Sequence, residues 1–528
     1  MVKQAKGFCD LQEQNKNKNQ LRSFGFFLLG VIKLARLYHL GETPIRPGTY
    51  FRTSSGDVTT VGAVNGIVAA VYRANWGPLN KVVNISVEDM NNLTDIVGTG
   101  NGYRVVHEAF LGGATMVRAV RAGEGGTVSR LTWRNDPKTT TTTDPTTGAT
   151  TTTTIPAVYV IEFRAKYVGA RVFTTTVRQN PLLDGTKQIL FYDENNRLIE
   201  TLSFKSGGNE SKKANEAVNS NSKYFTAKVL VDNEKLAIAT QRKFTAGTDP
   251  EITLANFEAA MGQLERYYWN VIVTDSHSNN VVAMLRAFIQ QSYEMGHLGI
   301  AVVGTTFNYT FEDRLATAAA LNDWRMVYLL NGWYDFKGVV HYGWDAAARI
   351  GGMIAACETN ASLTHIVIQD AVELTENFTN GQIIQAEEKG CMVFSLNDED
   401  QVWIDNSITT LVTLGNDQDE GWKKIRRTKC RFELMTRINR TCDKLIGRLN
   451  NDANGRATLV TAMQSVINEM IAEGKLFSGS NAGEDPRYKP VGDRAYFYLQ
   501  IGDIDSMEKI YLDYNFSYAN PFEETASA

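Results

Sequence analysis

From Leu254 to about Leu414, segments with apolar residues at helical spacing alternate with short apolar runs, and this alternation constrains the fold more than any other feature. The helical segments are Leu254 to Arg266, Val281 to Met295, Phe311 to Asn322 and Trp344 to Cys357. Among the runs between and after them are Val271-Ile272-Val273, Gly299 to Val303, Met326 to Leu330 and Met392-Val393-Phe394. Short apolar runs spaced by helices are βαβ units, so the middle of the chain is expected to form a largely parallel sheet.

Two other kinds of sequence flank this region. Upstream, Gly66 to Tyr72 suits a buried strand closed by Trp76-Gly77-Pro78. Val87 to Val97 carries early acids and helical spacing, and Ala114 to Ala119 is a further strand candidate. From about Gly123 to Gly247 the chain is rich in Thr, Val, Tyr and Phe with frequent turn signals, the pattern of an all-β module. Inside it, two five-threonine runs between Thr139 and Thr154 surround an Asp-Pro…Gly turn. Threonine favours extended backbone, so a projecting hairpin is preferred to a disordered or glycosylated stalk.

Downstream, Gly421 to Tyr518 opens with a basic helix. Leu459, Met463, Val466, Ile467, Met470 and Ile471 then form one helical stripe, with Gly474 as its stop. Two strands are expected after it, Ala495 to Ile501 and Glu508 to Tyr518. The second alternates, with Ile510, Leu512, Tyr514, Phe516 and Tyr518 on one face. The expected fold class is therefore α/β plus all-β in several domains. A central α/β core carries an inserted β-sandwich or β-barrel domain and a small α+β C-terminal domain. The expected boundaries are 1–40, an atypical N-terminal extension; 41–115, an arm and the first part of the core; 116–247, the β insertion; 248–415, the α/β core; and 416–528, the C-terminal domain.

Charge and cysteine usage narrow the function. A net charge of −4 over 528 residues gives no general attraction to nucleic acid or anionic membrane. The five cysteines are scattered without a CxxC pair, so neither a zinc site nor a disulfide framework is expected, and a reducing cytosol fits. Phe24 to Ile32 is apolar but shorter than the ~20 residues a membrane span needs. A long polar stretch precedes it and no clear cleavage site follows, which favours an appended amphipathic helix or a translation start placed too far upstream over a signal peptide.

Catalytic signatures are missing. Asp275, Ser276 and His277 follow a predicted strand, and His341 and His365 lie near others, but GxSxG, HExxH and subtilisin-type signatures do not occur. GxxxxGK[ST] is also absent, and Gly98 to Gly102 has the wrong spacing for a dinucleotide loop. No cofactor and no metal are expected. A secreted adhesin with a Thr-rich stalk fails for want of a convincing secretion signal.

Four segments carry a resemblance. RPGTYFR (Arg46 to Arg52), GIVAAVYRANWGPLNKVVNIS (Gly66 to Ser86), GGATMVRAVRAG (Gly112 to Gly123) and GDIDSMEKIYLDYNF (Gly502 to Phe516) resemble, in this order, segments of contractile phage tail sheath proteins. The first 40 residues and the Thr-rich hairpin depart from that pattern. The resemblance implies a homo-oligomer of stacked rings in a helical array around a tail tube protein, bounded by baseplate and tail terminator proteins. It implies contraction of that array to drive the tube through a cell envelope. The expected setting is a virion tail assembled in host cytoplasm, or a headless bacteriocin or other injection system, without direct nucleic acid or stable membrane contact.

Such an array needs connections that survive sliding of the subunit bodies, and arms that add strands to a neighbour's sheet provide them. Thr49, Tyr50, Phe51, Arg52 and Thr53 are expected to form one arm, and Ile510, Leu512, Tyr514, Phe516 and Tyr518 the other. The alternative for the second is a strand that completes its own domain's sheet. Lys423, Lys424, Arg426, Arg427, Lys429 and Arg431 are read as contacts to the tube or a neighbouring subunit. A solvated helix face and a nucleic-acid patch are the alternatives, the latter weakened by the lack of interleaved aromatics.

Overall fold

Ile67–Tyr72 is buried at every position, because it lies inside a seven-stranded sheet with helices on both faces. The computed structural model describes residues 65–416, 418–514 and 516, and the backbone of 36–37 and 50–51. Across the central sheet the strands run Cys391–Met392, Met326–Leu329, Ile300–Gly304, Val271–Thr274, Ile67–Tyr72, Met116–Arg121 and Val82–Ser86. All neighbouring pairs are parallel except the edge strand Val82–Ser86, which is antiparallel to Met116–Arg121. Side chains alternate between faces, so one strand serves two cores. Val68, Ala70 and Tyr72 join the core under helices Asn101–Leu111 and Trp344–Ala356. Ile67, Ala69 and Val71 join the core under Leu254–Leu264, Asn279–Glu294 and Phe311–Leu321. Several helix starts are set locally: the Thr310 hydroxyl accepts from the Asp313 N–H, and the Asp313 carboxylate accepts from the Thr310 N–H.

The first helix pair packs closely because it carries glycines at the contact. A Cβ at Gly352 would lie 2.1 Å from the Ala109 carbonyl oxygen, and one at Gly112 would lie 2.2 Å from that of Arg349. Neither position has room for a side chain.

Between Met116–Arg121 and Val271–Thr274 the chain builds two more sheets around a separate core. Phe225–Val229, Tyr159–Val168 and Val128–Arg134 form one; Leu198–Lys205, Thr186–Tyr192, Thr174–Gln179 and Ala239–Lys243 form the other. Phe163, Phe173, Phe191, Phe225 and Phe244 meet between them, Phe191 stacking on Phe225 at 4.0 Å. The expectation of an all-β module needs correction. Helix Glu210–Asn221 buries Ala214 and Val218 in the same core. Those are its chief apolar contacts, too sparse a stripe to show in a Thr-rich sequence. The threonine runs form an antiparallel hairpin, Lys138–Thr143 with Thr150–Ile155, exposed at every residue.

At the C-terminal end, helices Ile425–Leu445 and Ala453–Ala472 pack through Cys430, Leu434, Ile438 and Cys442 against Met463, Val466, Ile467 and Met470. A two-stranded sheet, Asn481–Glu484 with Phe497–Gln500, adjoins them. Ile425 and Phe432 belong instead to the central core, so the first turns of the long helix are sunk between two bodies. The expected strand Glu508 to Tyr518 is the second correction. From Ser506 to Tyr514 no strand forms, because no strand among the described residues lies beside the segment.

Candidate assembly interface

The two arms and the basic segment meet different fates. Tyr50–Phe51 pairs in parallel with Arg36–Leu37, while Thr49, Arg52 and Thr53 lie outside the described residues. In the C-terminal arm, Ile510, Leu512, Tyr514 and Phe516 are 66, 67, 70 and 89% exposed, and the interleaved Tyr511 is 90% exposed. Among the described residues, alternation therefore gives this segment no inner face against its own chain. Tyr518 lies outside the described residues. The sheet Asn481–Glu484/Phe497–Gln500, just upstream of the arm, has no third strand among the described residues. Gln464 caps one edge by accepting from the Ala482 N–H at 3.0 Å, and the outer edge of Phe497–Gln500 has no strand partner among those residues.

The basic segment is not the open cationic surface its sequence implies. Arg426 has a side chain only 4% exposed and donates to the Ile504 carbonyl. Arg427 clamps Asp503 with two parallel bonds, Nε to Oδ2 at 2.7 Å and the second through its NH2 group. Lys424 Nζ reaches Glu508 Oε2 at 2.5 Å and Asp505 Oδ2 at 3.4 Å. Lys429 is buried and donates to the Cys357 carbonyl, and burial pushes its pKa down to about 8. The Arg431 guanidinium lies 4.0 Å over the Trp422 ring. Lys423, partly exposed, meets Glu420 at 2.9 Å. The correction has a simple cause: the helix that carries these charges starts inside the core, so its cations need partners from the same chain.

Those partners, Asp503, Asp505 and Glu508, were not read from the sequence as partners of the basic run. Their signal was present as three acids within six residues opposite a basic run, but nothing local says that segments some 75 residues apart meet. Burial alone would raise the carboxyls of Asp503 and Glu508. The hydrogen bonds from Arg427 and Lys424, joined at Glu508 by Ser362 and Ser506, outweigh it and hold both below the usual carboxylate range.

Of the residues considered for catalysis, Asp275, His341 and His365 lie in three different surroundings. Asp275 is fully buried at the end of its strand, bracketed by Arg73 Nε at 2.8 Å and Asn101 Nδ2 at 2.9 Å. His341 Nδ1 contacts Asp345 Oδ2 at 2.8 Å in a group with Glu108 and Arg349, whose guanidinium also binds Asp370. His365 stacks on Trp403 at 3.9 Å. Among the described residues no three His, Cys, Asp or Glu side chains converge on a metal position. No helix among them is long and apolar enough to cross a membrane.

Residues 250–410 match the family model described as the phage tail sheath protein central domain. This stretch is similar to a sheath central domain. It coincides with the α/β alternation and holds the Val271–Thr274, Ile300–Gly304 and Met326–Leu329 strands. The sheath likeness extends well beyond it in fold. The crystal structure of a sheath tail protein from Desulfitobacterium hafniense is similar at TM-score 0.64 and 19% identity, covering 88% of this chain and 99% of that one. One from Listeria innocua gives 0.59 and 17%, covering 84% and 96%. A chain of the anti-feeding prophage baseplate gives 0.50 and 8%, covering 90% and 100%. Comparison with curated proteins yields no match. The mixed α/β fold with several sheets is thus that of sheath proteins, and the proteins similar to this chain are structural.

Proposed function

We propose that this chain is the subunit of a contractile tail sheath, polymerising helically around a tail tube and contracting to drive that tube through a cell envelope. The observation that carries the reading is the C-terminal arm. A run of large apolar side chains stands exposed on a sheath fold, in no strand pairing among the described residues. Such a segment invites uncontrolled aggregation unless a neighbour's sheet covers it. We assign it to the Phe497–Gln500 edge of the small Asn481–Glu484/Phe497–Gln500 sheet in the next subunit, where main-chain hydrogen bonds hold while the bodies rotate. The N-terminal arm around Tyr50–Phe51 is assigned to the same kind of contact. Head-to-tail contacts of this type do not close on themselves and propagate as a helix.

The tube protein is the inner partner, with baseplate and terminator proteins at the two ends. The setting is a virion tail assembled in host cytoplasm; the same mechanics serve a headless bacteriocin or another injection system. Electron microscopy of the purified chain tests the proposal. Striated tubes or short sleeves are expected from the full chain. A version ending at Glu508 should stay monomeric with an unchanged melting temperature. Monomers from the full chain at all concentrations, or sleeves from the shortened one, would overturn the arm assignment.

A further inference from the structure

The root of the C-terminal arm is held far more tightly than the arm itself. Within six residues, each acid meets a cation from the first turn of helix Ile425–Leu445 or the residue preceding it. Asp503 pairs with Arg427, Asp505 with Lys424 and Arg426 at 3.4 and 3.6 Å, and Glu508 with Lys424. Backbone bonds add to this: Ile504 N donates to the Lys475 carbonyl at 3.0 Å, and Phe477 N donates to the Gly502 carbonyl at 2.8 Å. Glu508 Oε1 also accepts from the hydroxyls of Ser362 at 2.8 Å and Thr364 at 3.3 Å, in the loop that follows helix Trp344–Ala356. Glu508 therefore joins three segments: the central domain, the long helix and the arm. Two residues later the chain is in solvent, with Ile510 66% exposed.

We propose that Lys424, Arg426 and Arg427, with Asp503, Asp505 and Glu508, form an anchoring joint that fixes where the arm leaves the body, with Lys509 as the first residue beyond it. The cations are positioning residues, acting on assembly through the arm's root and not by touching a partner. The inference rests on the arm being an intersubunit strand. Fixing the root at Glu508, not back at Ile501, shortens the free tether and raises the arm's local concentration at the neighbouring edge. It also passes a pull on the arm into the long helix and, through Ile425 and Phe432, into the central core.

The test compares full-length wild type with Glu508→Lys, Lys424→Glu and the double exchange, with Glu508→Gln as a milder probe. In the unassembled wild-type chain, hydrogen-exchange protection should extend through Glu508 and stop at Lys509, and trypsin should cut first after Lys509. Either single reversal should move the edge of protection back toward Gly502 and lower sleeve yield about tenfold. The double exchange should restore both, and Glu508→Gln should fall between. Unchanged protection and yield in the single reversals would overturn the joint, as would a double exchange that restores neither. Because the protection edge is read on unassembled chains, it judges the joint even where no sleeves form, whereas absence of wild-type sleeves counts against the assembly reading alone.

Discussion

His341 shows how one buried side chain ties stability to pH. Burial opposes its protonation, but the Asp345 hydrogen bond and the Glu108 carboxylate outweigh that, and its pKa is raised. The groups facing it are Asp345, Glu108, Asp335 and Arg349, with Arg104 on the far side of Asp345. Glu108 and Asp335 are held below their usual range, so they are ionised throughout the neutral window. A raised base stabilises the fold fully below its unfolded pKa of 6.5, and that contribution fades as pH rises through the folded value. Denaturant midpoints should therefore fall between pH 6 and 8 in the wild type. His341→Gln should flatten the slope, and an unchanged slope would remove His341 from the account. At the same scale, Arg427→Ala should cost about 3–5 kcal/mol in urea unfolding, because it leaves the Asp503 carboxylate, its side chain only 9% exposed, without its partner. A loss below ~1 kcal/mol would mean that water replaces the guanidinium.

Among elements, the threonine hairpin shows how little a well-formed piece can matter to its surroundings. Its strands pair over six positions in register, and Asp144 shapes the turn by accepting from the Thr146 N–H at 2.8 Å. None of its threonines enters the phenylalanine core below. Lys138 meets Glu234 at its base, a pair with its lysine 55% exposed. Replacing 139–154 with a two-residue Asn-Gly turn should change stability by no more than ~0.5 kcal/mol, as measured by denaturant unfolding. A larger loss would show that the hairpin braces the module. The long helix Ile425–Leu445 is the opposite case, since it touches the central core, the small C-terminal core and the arm's root at once.

For the whole molecule, contraction on the proposed reading needs an energy source other than a nucleotide. Assembly into a metastable extended state supplies one, and a gap of roughly a few kcal/mol between two packings is enough when many subunits are coupled. Triggered contraction of purified sheaths should release heat in proportion to subunit number in a calorimeter; contraction without heat release would sink the stored-energy account. On the same reading, anchored arm roots would make such coupling efficient, because movement of one body would be transmitted to the next without slack.

The sequence by itself determined the central sheet. Strand and helix periods from Val271 to Cys357 were legible because each element buries a regular stripe, and burial imposes that stripe on the residues locally. The arm's alternation was legible too, but on the proposed reading the strand that covers it belongs to another subunit, and a pattern does not name its partner. Helix Glu210–Asn221 stayed hidden because only Ala214 and Val218 meet its core. The fate of Lys424, Arg426 and Arg427 was decided by tertiary structure alone. Whether a basic run faces a partner, solvent or its own chain depends on which distant segment lies opposite, and here Asp503, Asp505 and Glu508 do. Charge pairing across such a separation leaves no periodic trace, so a segment that reads as a docking surface became the joint of the arm.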